Sequence, residues 1–247
     1  MSAAARHAVA EAGPPLLAVS YNIRKAMGTD GRRDPARVLD VLAEIGPDVV
    51  VLQEADRRFG ERASVLPADL IAAYGFRSVP VAAHDASLGW RGNAILVSRR
   101  VAVLRYRTLP LPSIEPRGAV FAELAFGGRL FRVVGMHLDL SGLMRRRQLA
   151  IVLERMAAEP GELPTLVMGD LNAWRQAAFA DLARGLHPVP LGPSFPSRLP
   201  LGRLDRIYVN DLVRVIEAGV HGSARARVAS DHLPVWLRLG LAGRPER

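Results

Sequence analysis

Short apolar runs that each close on a polar residue govern what this chain can become. Leu16 to Tyr21 leads to Asn22, Asp48 to Gln53 leads to Glu54, Arg129 to Met136 leads to His137, and Thr165 to Met168 leads to Gly169-Asp170. Each run is too short for an independent helix and combines apolar with β-branched residues, Val49 to Val51 most clearly, so each reads as a strand. The run at Asp48 to Gln53 is apolar without alternation, the pattern of a strand covered on both faces.

Helical periodicity separates some of these strands. Asp34-Pro35 reads as an N-cap followed by proline at the first helical position, Val38, Leu39, Val41, Leu42 and Ile45 form one apolar face, and Gly46-Pro47 ends the helix. Leu143 to Ala158 repeats the pattern with Leu149, Val152, Leu153 and Met156, and Trp174 to Gly185 is expected to be a further helix. The middle of the chain differs. Gly92 to Ser98, Val101 to Leu109, Ala119 to Ala125 and Arg129 to Met136 are strand-like runs joined by short turns, which predicts antiparallel hairpins there. Gly127-Gly128 is the strongest of these hairpin signals. Beyond a proline-rich loop from His187 to Pro200, strands are expected at Leu204 to Val209, Val213 to Val220 and Leu233 to Leu239. Helices at both ends and hairpins between them fit an α/β layered sandwich with mixed sheets better than an all-parallel doubly wound sheet.

At 247 residues and 49% hydrophobic content the chain can bury a sizeable core. There is no internal repeat and no linker long enough to split it, so residues 16–240 read as one domain between tails at 1–15 and 241–247. Polar residues interrupt the N-terminal stretch before a signal-peptide core could form, and no apolar run is long enough for a transmembrane segment; the expectation is a cytoplasmic protein. With no Cys, any bound metal must take oxygen or imidazole ligands. The formal charge of +9 rests almost wholly on arginine, since Lys25 is the single lysine. Such an arginine excess reads first as compositional bias and otherwise as provision for bidentate phosphate contacts, and it is compatible with an anionic substrate.

Each polar strand end has an ordinary explanation. Asn22 can form a turn, Glu54 can be a solvated carboxylate, His137 can be a hydrogen-bonded core histidine, and Gly169-Asp170-Leu171-Asn172 can be an Asx turn. Ser230-Asp231-His232 can be a polar turn, and Asp205 can pair with Arg203 or Arg206. Taken together they point elsewhere, because so many polar groups at comparable strand ends gather side chains distant in sequence. Carboxylate and amide oxygens without thiolates suit Mg²⁺ or Mn²⁺ rather than zinc. Phosphoryl transfer uses such a set.

Tyr21-Asn22-Ile23-Arg24, Leu52-Gln53-Glu54, Gly92-Asn93-Ala94-Ile95-Leu96, His137-Leu138, Gly169-Asp170-Leu171-Asn172, Leu204-Asp205-Arg206-Ile207 and Ser230-Asp231-His232 resemble, in order and spacing, the endonuclease/exonuclease/phosphatase superfamily. The resemblance implies a four-layered sandwich of two mixed β-sheets flanked by helices, with a Mg²⁺-dependent phosphoesterase site along one edge. It implies metal ligation by Glu54 with Asn22 and Asp231, and catalytic roles for His137, Asp170, Asn172, Asp205 and His232. Asp170 would orient or deprotonate water, Asn172 would position the phosphate, and His137 would stabilise its oxygens. His232, held by Asp205, would contact the phosphate or act as the base. Two departures separate the chain from the abasic-site nucleases: Arg24 stands where those usually carry an acid, and His137 where they carry tyrosine. Arg24 leaves the metal site one carboxylate short for a second tight ion.

The expected substrate is a phosphodiester or phosphomonoester, small or lipid-linked. DNA is the competing class, and a non-catalytic phosphate-binding module is a further reading. Aromatic residues are 6% of the chain, which leaves little for a single-strand stacking platform.

Overall fold

The computed structural model describes residues 13–57, 60, 63–113, 117–174 and 185–241. The strand-like runs assemble into two six-stranded sheets. The first contains β1 (Leu16–Asn22), β2 (Val49–Gln53), β3 (Phe76–Ser78), β4 (Ala94–Ser98), β11 (Val213–Val220) and β12 (Val235–Leu241), in the order β11-β12-β1-β2-β4-β3. The second contains β5 (Val101–Leu111), β6 (Arg117–Phe126), β7 (Arg129–His137), β8 (Thr165–Asp170), β9 (His187–Pro188) and β10 (Asp205–Val209), in the order β5-β6-β7-β8-β10-β9.

Each sheet has one parallel pair, and a helix makes each crossover. Between β1 and β2 runs α1 (Pro35–Ile45), whose N-cap Asp34 accepts a hydrogen bond from the Arg37 backbone N–H; such a cap contributes about 1 kcal/mol. A second, shorter helix, α2 (Ala68–Ala73), precedes β3. Between β7 and β8 runs α3 (Gly142–Ala157). In the first parallel pair Asn22 lies opposite Gln53, and in the second His137 lies opposite Asp170. Two chain-distant crossovers thus end at matched positions.

Period-two alternation then sorts the core into three layers. Leu16, Ala18, Val49, Val51, Val133, Leu166, Met168 and Ile207 pack between the sheets. On the outer face of the first sheet, Val19, Tyr21, Val50 and Leu52 meet Val38, Leu39, Val41 and Leu42 of α1. On the outer face of the second, Val134, Met136 and Val167 meet Leu149 and Val152 of α3. Helix, sheet, sheet and helix are the four expected layers. Each fully buried aliphatic side chain contributes about 1.5–3 kcal/mol.

The structure departs from the sequence reading in one connection. The turn after β4 is not a hairpin: β4 pairs with β2 and β3, while β5 opens the second sheet and pairs with β6. Val101 enters the layer between the sheets, and Arg100 reaches back to Asp48 Oδ1 at 3.2 Å, so the crossing is tied on both sides. The other two predicted antiparallel pairs form, β5 with β6 and β6 with β7, the latter through Gly127 and Gly128, both at positive φ. β5 runs to Leu111 and β12 to Leu241, each two residues past the expected end. The helix expected at Trp174 to Gly185 falls on residues 175–184, outside the described residues. The element α4 (Ala226–Ala229) supplies a single turn before Ser230.

Candidate active site

The face of each strand that turns toward the other sheet is apolar along its length and polar at one end. On β1, Leu16 and Ala18 face the middle layer, and two further steps of two place Ser20 and Asn22 on the same side. By the same count Phe131 and Val133 lead to His137, Leu166 and Met168 to Asp170, and Val209 and Ile207 back to Asp205. Asn22, His137, Asp170, Asp205 and His232 are all buried. Buried polar groups need partners, and these have one another.

Asp170 is the hub. Its Oδ2 accepts from Asn22 Nδ2 at 3.0 Å, which ties the two sheets together, and its Oδ1 accepts from the Asn172 backbone N–H at 3.0 Å. Around that same Oδ2 lie His137 Nε2 at 3.5 Å and His232 Nε2 at 3.7 Å. Asn172, at φ 50, donates its side-chain N–H to the Leu138 carbonyl at 2.9 Å and so pins the turn after β8 to the end of β7. Gly169 permits this approach: a Cβ there would stand 1.9 Å from the Met136 carbonyl oxygen.

Asp205 holds the second histidine. Its Oδ2 accepts from Ser194 Oγ and lies 2.8 Å from His232 Nδ1, while Phe195 packs its ring 4.8 Å from the imidazole. Burial alone would depress the His232 pKa, but the Asp205, Asp170 and Asp231 carboxylates outweigh it and push it up to about 10. His137 goes the other way. Burial leads, and with help from the Arg117 guanidinium it pushes that imidazole down to about 4 against the pull of Asp170 and Glu54. At neutral pH His232 is a cation and His137 is not.

A third group lies where β1 and β2 end. Ser230 Oγ donates to the Asn22 carbonyl at 2.7 Å, and Asn22 Oδ1 accepts from the Arg24 backbone N–H at 3.0 Å. Lys25 donates through its ammonium to Glu54, and Arg24 Nε lies 3.3 Å from Asp231 Oδ2. Burial would raise the Glu54 pKa, yet His137, Lys25 and Arg117 hold it below the usual carboxylate range. Donor atoms of Asp170, Asp205 and His232 also lie within 4.8 Å of one another, close enough for an ion. In that trio, however, His232 Nδ1 is already engaged by Asp205 and Asp170 by two amides.

The contacts therefore join Asn22, His137, Asp170, Asn172, Asp205 and His232 directly, and bring Glu54 and Asp231 to the adjoining turn. Three participants were not foreseen. Lys25 had a sequence signal, as the single lysine. Arg117, whose Nη1 lies 2.6 Å from His137 Nδ1, and Ser194 had none, because only strand pairing and loop closure bring them near. Arg145, in the triple-arginine run, donates to the Asp139 and Leu140 carbonyls, and Arg198 donates to the Thr29 carbonyl, so both serve loops.

Two sheets have helices outside, and oxygen and imidazole groups collect where the parallel strands end. The model of the Endonuclease/Exonuclease/phosphatase family matches residues 19–232, and the chain belongs to that family, whose members are metal-dependent hydrolases of phosphate esters. Among curated proteins it is similar to the uncharacterized protein YbhP of Escherichia coli (strain K12), with 32% identity over 134 residues, 50% of this chain and 53% of that one. The match thus spans about half the length of that relative. Among solved structures it resembles D. rerio TDP2 complexed with single strand DNA product at a TM-score of 0.70, with 20% identity, 91% of this chain and 98% of that one. The human Nocturnin catalytic domain with bound sulfate anion gives 0.71, with 18% identity over 93% and 94% of the two chains. The Bacteroides thetaiotaomicron mannosyl-6-phosphatase gives 0.70, with 19% identity over 91% and 99%. These likenesses establish the fold. Among the described residues no helix is long and apolar enough to cross a membrane.

Proposed function

We propose that the chain hydrolyses a small or lipid-linked phosphate ester, diester or monoester, by in-line attack of water with a hard divalent cation, Mg²⁺ or Mn²⁺ in its place. The observation that carries the reading is one buried carboxylate, Asp170, whose Oδ2 lies 3.5 Å from His137 Nε2 and 3.7 Å from His232 Nε2. Glu54, Asn22 and Asp231 would hold the cation: they offer hard oxygens, and the cationic ends of Lys25 and Arg24 on the two carboxylates mark where positive charge is accepted. A divalent ion bound there neutralises charge on the phosphoryl oxygens and the leaving group.

The chain's own groups do the rest. Asn22 and the Asn172 backbone hold Asp170 in place, so its carboxylate can take a proton from water without reorienting. His232 stays protonated and donates to a phosphoryl oxygen or the departing group, with its ring fixed by Asp205. Neutral His137, beside the Arg117 guanidinium, offers a further donor. Asn172 keeps one side-chain N–H for the phosphate while the other is used on Leu138.

Single-stranded nucleic acid is the less favoured substrate. Phe195 is spent on His232, and Trp90 packs closely against Gly118, which leaves Trp174 as the one exposed tryptophan, at 64%. A substrate panel tests the reading: a phosphodiester, a phosphomonoester, a phospholipid and plasmid DNA, each with Mg²⁺ and with chelator. Asp170→Asn should lower kcat by about 10²-fold or more with little change in the unfolding midpoint. Full turnover in that variant removes Asp170 from the mechanism, and strong salt-sensitive nicking of plasmid would replace the small-substrate reading with a nuclease.

A further inference from the structure

Of the 33 basic side chains in the sequence, Lys25 alone is lysine, and it contacts Glu54. The backbone goes to some length to put it there. Arg24, Lys25 and Ala26 stand at φ 45, 58 and 57, a left-handed conformation that residues other than glycine seldom adopt. Backbone bonds from Lys25 N–H to the Glu54 carbonyl (3.0 Å) and from Ala26 N–H to the Ile23 carbonyl (2.7 Å) hold the turn. The neighbouring Arg24 meets Asp231 from the same turn.

Arginine would not do the same work. A guanidinium presents a planar fork that pairs with both oxygens of a carboxylate, whereas an ammonium is a compact point charge that can bind one oxygen and leave the other free. Lys25 engages Glu54 Oε2. We propose that Lys25 is a resident cation of the metal site, sharing Glu54 with a single divalent ion and supplying the positive charge that a second ion would otherwise bring to the phosphate. The inference rests on the assignment of Glu54 as a metal ligand. It accounts for Arg24 standing where an extra ligand acid would sit, since a site that already contains a cation needs no carboxylate for a second one.

Calorimetric titration of Mn²⁺ into the full chain, without substrate, tests it. The wild type should bind one ion. Lys25→Met removes a like charge from beside the metal and should tighten Mn²⁺ binding by about fivefold, the size expected of a partly exposed charge pair. Lys25→Arg should weaken it by a similar factor, because the fork takes the oxygen that the metal needs. With bis(4-nitrophenyl) phosphate as substrate, Lys25→Met should lower kcat by about 10-fold or more even at saturating Mn²⁺. Unchanged unfolding midpoints would separate these effects from misfolding. Two ions in the wild type, or Mn²⁺ affinity equal across the three proteins, overturns the inference. Glu54→Gln distinguishes the two levels: if it leaves Mn²⁺ binding intact, the metal assignment falls as well; if it abolishes binding while the Lys25 variants change nothing, only the role of Lys25 falls.

Discussion

Replacing Asp205 by Asn should remove most of what holds the charge on His232. The carboxylate is 1% exposed, lies 2.8 Å from Nδ1 and also takes the Ser194 hydroxyl, so its interaction with the imidazolium is scarcely screened by water. A rise from the ordinary 6.5 to about 10, at about 1.36 kcal/mol per pH unit, corresponds to about 5 kcal/mol. Breaking a buried ion pair costs about 3–5 kcal/mol in other proteins, which agrees. Asp170 and Asp231 also hold the charge, so about 3 kcal/mol is the expected loss for Asp205 alone. The sign follows from proton linkage. A histidine whose pKa rises on folding adds stability that is complete below 6.5 and disappears as the pH climbs through about 10. Denaturant unfolding of both proteins across that span should therefore give curves that are furthest apart at the acid end and converge toward pH 10. A gap that stays constant with pH, or one below about 1 kcal/mol, would refute the charge assignment.

Two further outcomes follow from the same geometry. Gly169→Ala would place a methyl 1.9 Å from the Met136 carbonyl oxygen, and backbone cannot yield as a side-chain end can; a loss of about 3 kcal/mol or more is expected in thermal unfolding, and a variant as stable as the parent would show that β7 and β8 can separate there. His137, pushed down chiefly by burial to about 4, adds stability above its ordinary 6.5 that is lost as the pH falls through about 4. Its ring resonances should titrate near the lower value by NMR, and a midpoint near 6.5 would mean that the imidazole is solvated.

Much of the architecture was legible because local signals coincide with tertiary ones. Asp34-Pro35 and Gly46 bound α1 whatever it packs against, and the apolar run Val49 to Leu52 of β2 announces cover on both faces. The switch of sheets between β4 and β5 was not legible, since a short turn between two strand-like runs looks the same whether the second strand folds back or crosses over. Elements of three to six residues such as β3 and α2 are too brief to display a period. In the candidate site, side chains that end a strand could be read, whereas Arg117 and Ser194 depend on neighbours far away in sequence. The plain and the chemical readings of Gly169-Asp170-Leu171-Asn172 turn out to coexist. One oxygen of Asp170 closes the Asx turn and the other faces the imidazoles.

That double use of Asp170 bears on the choice between acid and base. When two like groups flank one carboxylate and their surroundings push their pKa values apart, the proton inventory is divided by the protein rather than by solvent. His232 has Asp205 behind it and stays charged; His137 has Arg117 beside it and stays neutral. A histidine that holds its proton until about pH 10 cannot accept one from water at neutral pH. In the proposed reaction Asp170 would accept the proton, and its carboxylate stands beside the imidazole of His232, with Nε2 3.7 Å from Oδ2. In that proposal the direction of proton flow follows from the partner each histidine has, Asp205 for His232 and Arg117 for His137.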